Sequence, residues 1–179
     1  MIEIGFKKIE LEDKDLITHY FKHHTSRSCE RTFVNVYLWA RFYHVKFAEV
    51  EHTLVFRTED EDGFSFAYPA GEPENVKKAL DVLMVYSKER GVPFLMYTVT
   101  PDNFEYLEKW YPGRFEIEYV EGDADYVYES EKLATLSGKK LHSKRNHVNK
   151  FKIVYADRWS YEPMSEDNLE ECVQTGLKW

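Results

Sequence analysis

Between Val45 and Tyr68 apolar and polar residues alternate, and two points fit to reverse the chain interrupt them: Glu51-His52 and Asp60-Glu61-Asp62-Gly63. Val45/Phe47 and Leu54/Phe56 set the alternation, and Phe64 to Tyr68 answers it beyond the second turn. A period of two with turn residues between the runs specifies antiparallel strands joined by hairpins. The loop Pro69-Ala70-Gly71-Glu72-Pro73 then leads into a helix over Glu74 to Arg90, with Val76, Leu80, Leu83 and Met84 as its stripe and Gly91 as its stop. A meander that feeds a helix must cover one face of its sheet with that helix.

The flanks extend the pattern. Phe6 to Leu11 reads as a short strand, and Glu12-Asp13-Lys14-Asp15 opens a helix carrying Leu16, Ile17, Tyr20 and Phe21. A polar break from His23 to Cys29 precedes a second helix through Phe33, Val34, Tyr37, Leu38 and Arg41, with Thr32 or Ser28 as cap. Downstream, Val92 to Val99 reads as a buried strand, and Pro101-Asp102 starts a helix ended by Tyr111-Pro112-Gly113. Phe115 to Val120 and Tyr126 to Tyr128 read as strands about the turn Glu121 to Ala124. A helix from Glu131 to about Lys152 bends near Gly138, and Ile153 to Trp159 reads as a last strand. Ser165-Glu166-Asp167-Asn168 starts a final helix that runs to Trp179 with no stop signal, which implies that the natural chain continues. The expected fold is α/β (α+β): a mixed, largely antiparallel sheet with helices on both faces, in the element order of the GCN5-related N-acetyltransferase fold. Residues 1–160 form one acyltransferase-like domain in this reading, and 161–179 open a second, truncated half.

Composition removes several functional classes. The chain of 179 residues carries a net charge of −8, so any polyanion contact must be local. Cys29 and Cys172 stand alone, forming neither a disulfide framework nor a zinc site, and they suit a reducing, cytoplasmic compartment. The N-terminus is acidic where a signal peptide is basic, and no apolar run nears the roughly 20 residues that cross a bilayer. No integral membrane contact is expected. His19, His23 and His24 resemble a metal patch only superficially, since His19 and His23, four apart on a helix, have no third ligand nearby; Glu59 to Asp62 lacks calcium-loop spacing and Ser137 lacks the nucleophile elbow, so no metal site or serine hydrolase is expected. Cys29 at a helix start is a weak thiol nucleophile, with a structural role commoner.

One stretch reverses the sign of the molecule. From Lys139 to Lys152 stand Lys139, Lys140, Lys144, Arg145, Lys150 and Lys152 with no acid among them. On a helix Lys140, Lys144 and His147 share a face, with Leu141, Val148 and Phe151 near the opposite, core-facing side. Gly138 stands where a helix start presents N–H groups to an anion, and Asn146 and Asn149 add directed donors. Phosphate is the expected partner; the plainer alternative is a solvated face whose bases offset acids elsewhere.

The run Asp125-Tyr126-Val127-Tyr128, then Leu133, Leu136, Gly138-Lys139-Lys140-Leu141-His142 and Lys144 to Phe151, closely resembles the DUF2156 family, whose members look like the C-terminal domain of phosphatidylglycerol lysyltransferases. Cys29-Glu30-Arg31-Thr32-Phe33 with Asn35, Tyr37 and Trp39 fits that family's early helical segment. The resemblance implies acyl or aminoacyl transfer on a fold of two acyltransferase-like halves, the second supplied by the same chain. It implies an aminoacyl-tRNA as donor, held by Lys139, Lys140, Lys144, Arg145, Asn146 and Asn149, with the acceptor unidentified. Backbone N–H groups of the sheet would stabilise the oxyanion, and Tyr126 or Tyr128 is a weak candidate for general acid, core packing being the default. The alternatives are a phosphate- or RNA-binding module without chemistry and a purely structural half. Acetyltransferases of this fold hold the coenzyme A pyrophosphate on a glycine-rich loop. Pro69 to Glu74 offers one Gly, two Pro without N–H groups and two Glu, so coenzyme A is not expected there.

Overall fold

The computed structural model describes residues 1–22, 28–61, 63–124 and 126–178. It divides into two units, Met1–Asp123 and Ala124–Trp179. In the first, β1 (Lys7–Lys8), β2 (Lys46–Val50), β3 (Thr53–Asp60), β4 (Gly63–Ala67) and β5 (Met96–Tyr97) lie side by side in chain order. The first three pairings are antiparallel and β4 runs parallel to β5, which makes the sheet mixed and largely antiparallel. Around it stand α1 (Lys14–Lys22), α2 (Phe33–Ala40), α3 (Pro73–Glu89) and α4 (Pro101–Trp110).

The turns account for the register. Val50 faces Thr53 across Glu51 and His52, whose φ values of 49° and 57° mark a mirror-image turn matched to the twist of paired strands. Asp60 faces Gly63, and the Asp60 side chain accepts the Gly63 N–H at 3.0 Å; Asp62 lies outside the described residues. With register set, alternation sends side chains to two cores. Phe47, Leu54, Phe56 and Ala67 pack with Ile17 and Phe21 of α1 and Phe33 and Ala40 of α2. Ala48, Val50, Val55 and Phe66 pack with Ala79, Leu83 and Tyr86 of α3 on the other face. A third cluster, Tyr68, Val76, Leu80, Leu107 and Tyr111, joins α3 to α4. Phe47, Leu54, Val55 and Phe66 are wholly buried, each contributing about 1.5–3 kcal/mol. The helices do cover both faces.

Caps follow the sequence. The Thr32 hydroxyl accepts the Asn35 N–H to start α2, while Ser28 caps the short turn at Cys29–Arg31, so both candidate caps are used. Pro73 and Pro101 take first-turn positions of α3 and α4, and Thr100 and Asn103 form a reciprocal capping box. Gly91, with φ 68°, ends α3.

Several expected strands are absent or shorter among the described residues. Of Phe6–Leu11 only Lys7–Lys8 pairs; Leu11–Asp13 tightens into a 3-10 turn because the Asp13 carboxylate accepts the Glu10 N–H at 3.0 Å. Of Val92–Val99 only Met96–Tyr97 pairs, and it is half-buried rather than buried, since β5 meets β4 on one side alone. Thr98, turned left-handed at φ 54°, stops it. Phe115–Val120 and Tyr126–Tyr128 make no ladder. Alternation with Glu116 and Glu118 sorts side chains but supplies no neighbouring strand, and Ile117 and Tyr119 are exposed.

The second unit contains α5 (Ser130–Thr135), α6 (His142–Tyr155) and α7 (Leu169–Gly176). The expected bend is there: Leu136 turns left-handed at φ 49°, Gly138 takes φ 89°, and a 3-10 turn at Lys139–Leu141 leads into α6. Ile153–Trp159 is not a strand. Its first three residues finish α6, whose hydrogen bonds outweigh the strand preference of Ile153 and Val154, until Ala156 breaks it at φ 41°. Nor does α7 run to the end: the Leu177 and Lys178 N–H groups fold back on the Val173 and Thr175 carbonyls, and Trp179 lies outside the described residues. Leu141 is half-buried and Val148 and Phe151 are exposed, so the expected core-facing side of α6 encloses no core within this unit. The three short helices of its described residues, without a sheet, have too little surface to bury one.

Candidate functional site

The basic segment begins where the chain leaves α5. Lys139 and Lys140 lie on the 3-10 turn; Lys144, Arg145, Asn146 and Asn149 lie on α6. All are exposed except Arg145, which is half-buried. None of Lys139, Lys140, Lys144, Lys150 and Lys152 forms a salt bridge with a described residue, whereas Lys132 in the same unit pairs with Glu129 at 2.9 Å. Arg145 is differently employed. Its Nη1 donates to the Leu136 and Gly138 carbonyls, the latter at 2.9 Å, and so ties the bend to α6. Asn146 Nδ2 stands 3.5 Å from His142 Nδ1.

The start of α6 is electrostatically unusual. A helix N-terminus carries partial positive charge and favours acids in its first turn. Here the first turn has no acid and no side-chain cap, while Lys139, Lys140, Lys144 and Arg145 surround it. Lysine charge and free N–H groups repel one another at that end and would both be relieved by an anion.

Tyr126 and Tyr128 lie outside any helix or strand, exposed, with rings 6.5 Å apart and 22° from parallel. No hydrogen bond or ring contact joins them to a basic residue among the described residues. The Gly71 loop is tied to the sheet: the Ala70 N–H donates to the Leu54 carbonyl at 2.9 Å, and the Ala70 carbonyl accepts the Leu54 N–H at 2.8 Å. The Asn75 and Val76 N–H groups donate to the Glu72 carbonyl. His23, His24 and Asp125 lie outside the described residues, among which no three His, Cys, Asp or Glu side chains gather as a metal site would need. Cys29 and Cys172 are free and exposed.

Sequence reading missed a second feature, an open cleft of about 540 Å3 in the first unit between α2 and strands β3 to β5. Arg31, Trp39, Thr58, Ser65, Tyr97 and Thr98 are among its lining. Arg31 donates from Nη2 to the Tyr68 carbonyl at 2.9 Å and lies over the Phe21 ring. Burial pulls its pKa down against the opposing pull of Tyr97 and Glu30. The Thr58 and Tyr97 hydroxyls share a hydrogen bond of 2.7 Å, and burial pushes the Tyr97 phenol up. The available signal was Cys29 to Trp39, where a lone arginine in the polar run Glu30-Arg31-Thr32 directly precedes an aromatic helix. Tyr97 and Thr98 gave none, because a buried-strand reading explains them equally well.

Among the described residues, no helix is long and apolar enough to cross a membrane. A crystal structure of a conserved protein of unknown function from Bacteroides thetaiotaomicron VPI-5482 matches with a TM-score of 0.86 and 33% identity, over 99% of this chain and 59% of that one. An uncharacterized protein of Mycoplasmoides gallisepticum is 32% identical over 72 residues, 40% of this chain and 23% of the relative. The chain thus spans under a quarter of one relative and about three fifths of the other. Residues 21–179 match the family model described as phosphatidylglycerol lysyltransferase, C-terminal. With most of its length inside that match, on a fold shared with the Bacteroides protein, the chain belongs to the phosphatidylglycerol lysyltransferase C-terminal family.

Proposed function

We propose that this chain is an acyl- or aminoacyl-transferase-like domain whose basic segment holds a phosphorylated donor such as the end of an aminoacyl-tRNA. Membership of the family supports the transferase part. One observation carries the donor part: the lysines around the start of α6 are exposed, lack acid partners among the described residues and crowd a helix end that has no acid of its own. Lys139, Lys140 and Lys144 contact phosphate, Asn146 and Asn149 orient it, and Arg145 fixes the bend while keeping its remaining N–H groups for the ligand. Catalysis then rests on holding donor and acceptor in register. The chain is one half of a larger transferase in this reading, its second half supplied by the same polypeptide, and it works in the cytoplasm without coenzyme A at the Gly71 loop.

A non-catalytic phosphate- or RNA-binding module is the second reading. The exposure of Tyr126 and Tyr128 favours it, since group transfer calls for a site that excludes water.

Fluorescence anisotropy with a labelled aminoacyl-tRNA tests the donor. Binding is expected to weaken as salt rises, and Lys140→Glu/Lys144→Glu is expected to lower the log–log salt slope by about 1 per lysine removed. Undiminished binding by that variant would make the segment a solvated face. Transfer of the amino acid to an acceptor would select the transferase over the binding module.

A further inference from the structure

We propose that the cleft between α2 and strands β3 to β5 is a binding site for a small monocarboxylate that carries a flat apolar group. It lies wholly in the first unit and is independent of the phosphate reading of the basic segment.

Two arginines of the same unit make the case by contrast. Arg57, buried in β3, meets the Glu59 carboxylate, the Tyr86 hydroxyl and the faces of Phe6 and Phe64. Arg31, half-buried at the cleft, has one neutral carbonyl as its hydrogen-bond partner and no ion pair with a described residue. A guanidinium withdrawn from water with a single neutral hydrogen-bond partner leaves donors unmet, and its planar fork fits a carboxylate. Burial already pulls its pKa down.

Polar groups of the same lining also have unmet hydrogen-bonding capacity. The Thr98 hydroxyl is closed off from solvent with no partner among the described residues, on a β-branched residue held left-handed at φ 54°. Such strain persists only where surrounding structure imposes it. Thr58 and Tyr97 spend one hydroxyl proton on each other and keep one to donate. The apolar wall comes from Trp39 and Tyr43, half-exposed with rings 5.9 Å apart, and from Phe56. A flat group laid there would cover surface now wet.

Size and charge narrow the class. The volume falls within the roughly 300–1,000 Å3 of small-molecule sites. Glu30 adds a carboxylate to the lining, which offsets Arg31 and disfavours a doubly charged phosphate against a single negative charge.

Isothermal titration of the full chain with 3-phenylpropanoate, its amide 3-phenylpropanamide and inorganic phosphate tests this. The acid is expected to bind about tenfold more tightly than the amide, and Arg31→Gln is expected to remove that preference. Arg31 also braces the Tyr68 carbonyl, so Trp39→Ala serves as the second variant, expected to weaken the acid by about tenfold with circular dichroism unchanged. Equal binding of acid and amide, no binding of either, an acid affinity untouched by Trp39→Ala, or displacement of the acid by phosphate would each overturn the proposal.

Discussion

Asp13 shows how much one side chain can organise. Its carboxylate accepts from Lys7 Nζ at 2.6 Å and from the Glu10 N–H, closing the turn that enters α1. Burial pushes its pKa up, but the hydrogen bonds and charge of these partners outweigh that and leave it below its ordinary 3.8. A carboxylate with a depressed folded pKa gives stability that is present above the unfolded value and lost as pH falls through the folded one. Asp13→Asn is therefore expected to lower stability at neutral pH and to flatten its decline below about pH 4 in urea titrations. Glu59, held low by Lys46 and Arg57 against the upward push of burial, adds to the same decline. Gly71 is a steric counterpart: a Cβ there would stand 2.8 Å from Thr53 Cγ2 and 3.2 Å from the His52 carbonyl. Gly71→Ala is expected to cost about 1–3 kcal/mol, and Thr53→Ser, which removes that methyl, to restore part of it in a double-mutant cycle.

Among elements, those that carry both a pattern and a boundary were legible. Leu54 and Phe56 alternate between two tight turns, and β3 lies where they put it. Val76, Leu80 and Leu83 recur at helical spacing between Pro73 and Gly91, and α3 fills that interval. Pattern without boundary misled. Ile117 and Tyr119 alternate like a strand but meet no ladder, and Ile153-Val154 has strand preference but sits behind an unbroken helix. Pairing is a property of two segments, so one segment cannot reveal it. Local capping is the opposite case. Thr100→Ala is expected to cost about 1 kcal/mol and to shift the denaturation midpoint without changing the slope, because Asn103 loses its reciprocal partner.

At the scale of the molecule, a chain of net charge −8 contains a segment with no acid of its own from Lys139 to Lys152. The basic segment could be read from composition alone, because charge needs no fold to be counted. The double duty of Arg145 could not, since its hold on the Leu136 and Gly138 carbonyls exists only after the chain bends. The cleft was equally hidden, being assembled from residues far apart in sequence. Mapping amide shifts of the full chain against added inorganic phosphate, by heteronuclear NMR, addresses the donor site most directly. Saturable shifts at Lys139, Lys140, Lys144 and Arg145, fading as sodium chloride is raised, are the expected result. Shifts confined to the Gly71 loop, or none that saturate, would contradict a phosphate-holding role for the basic segment.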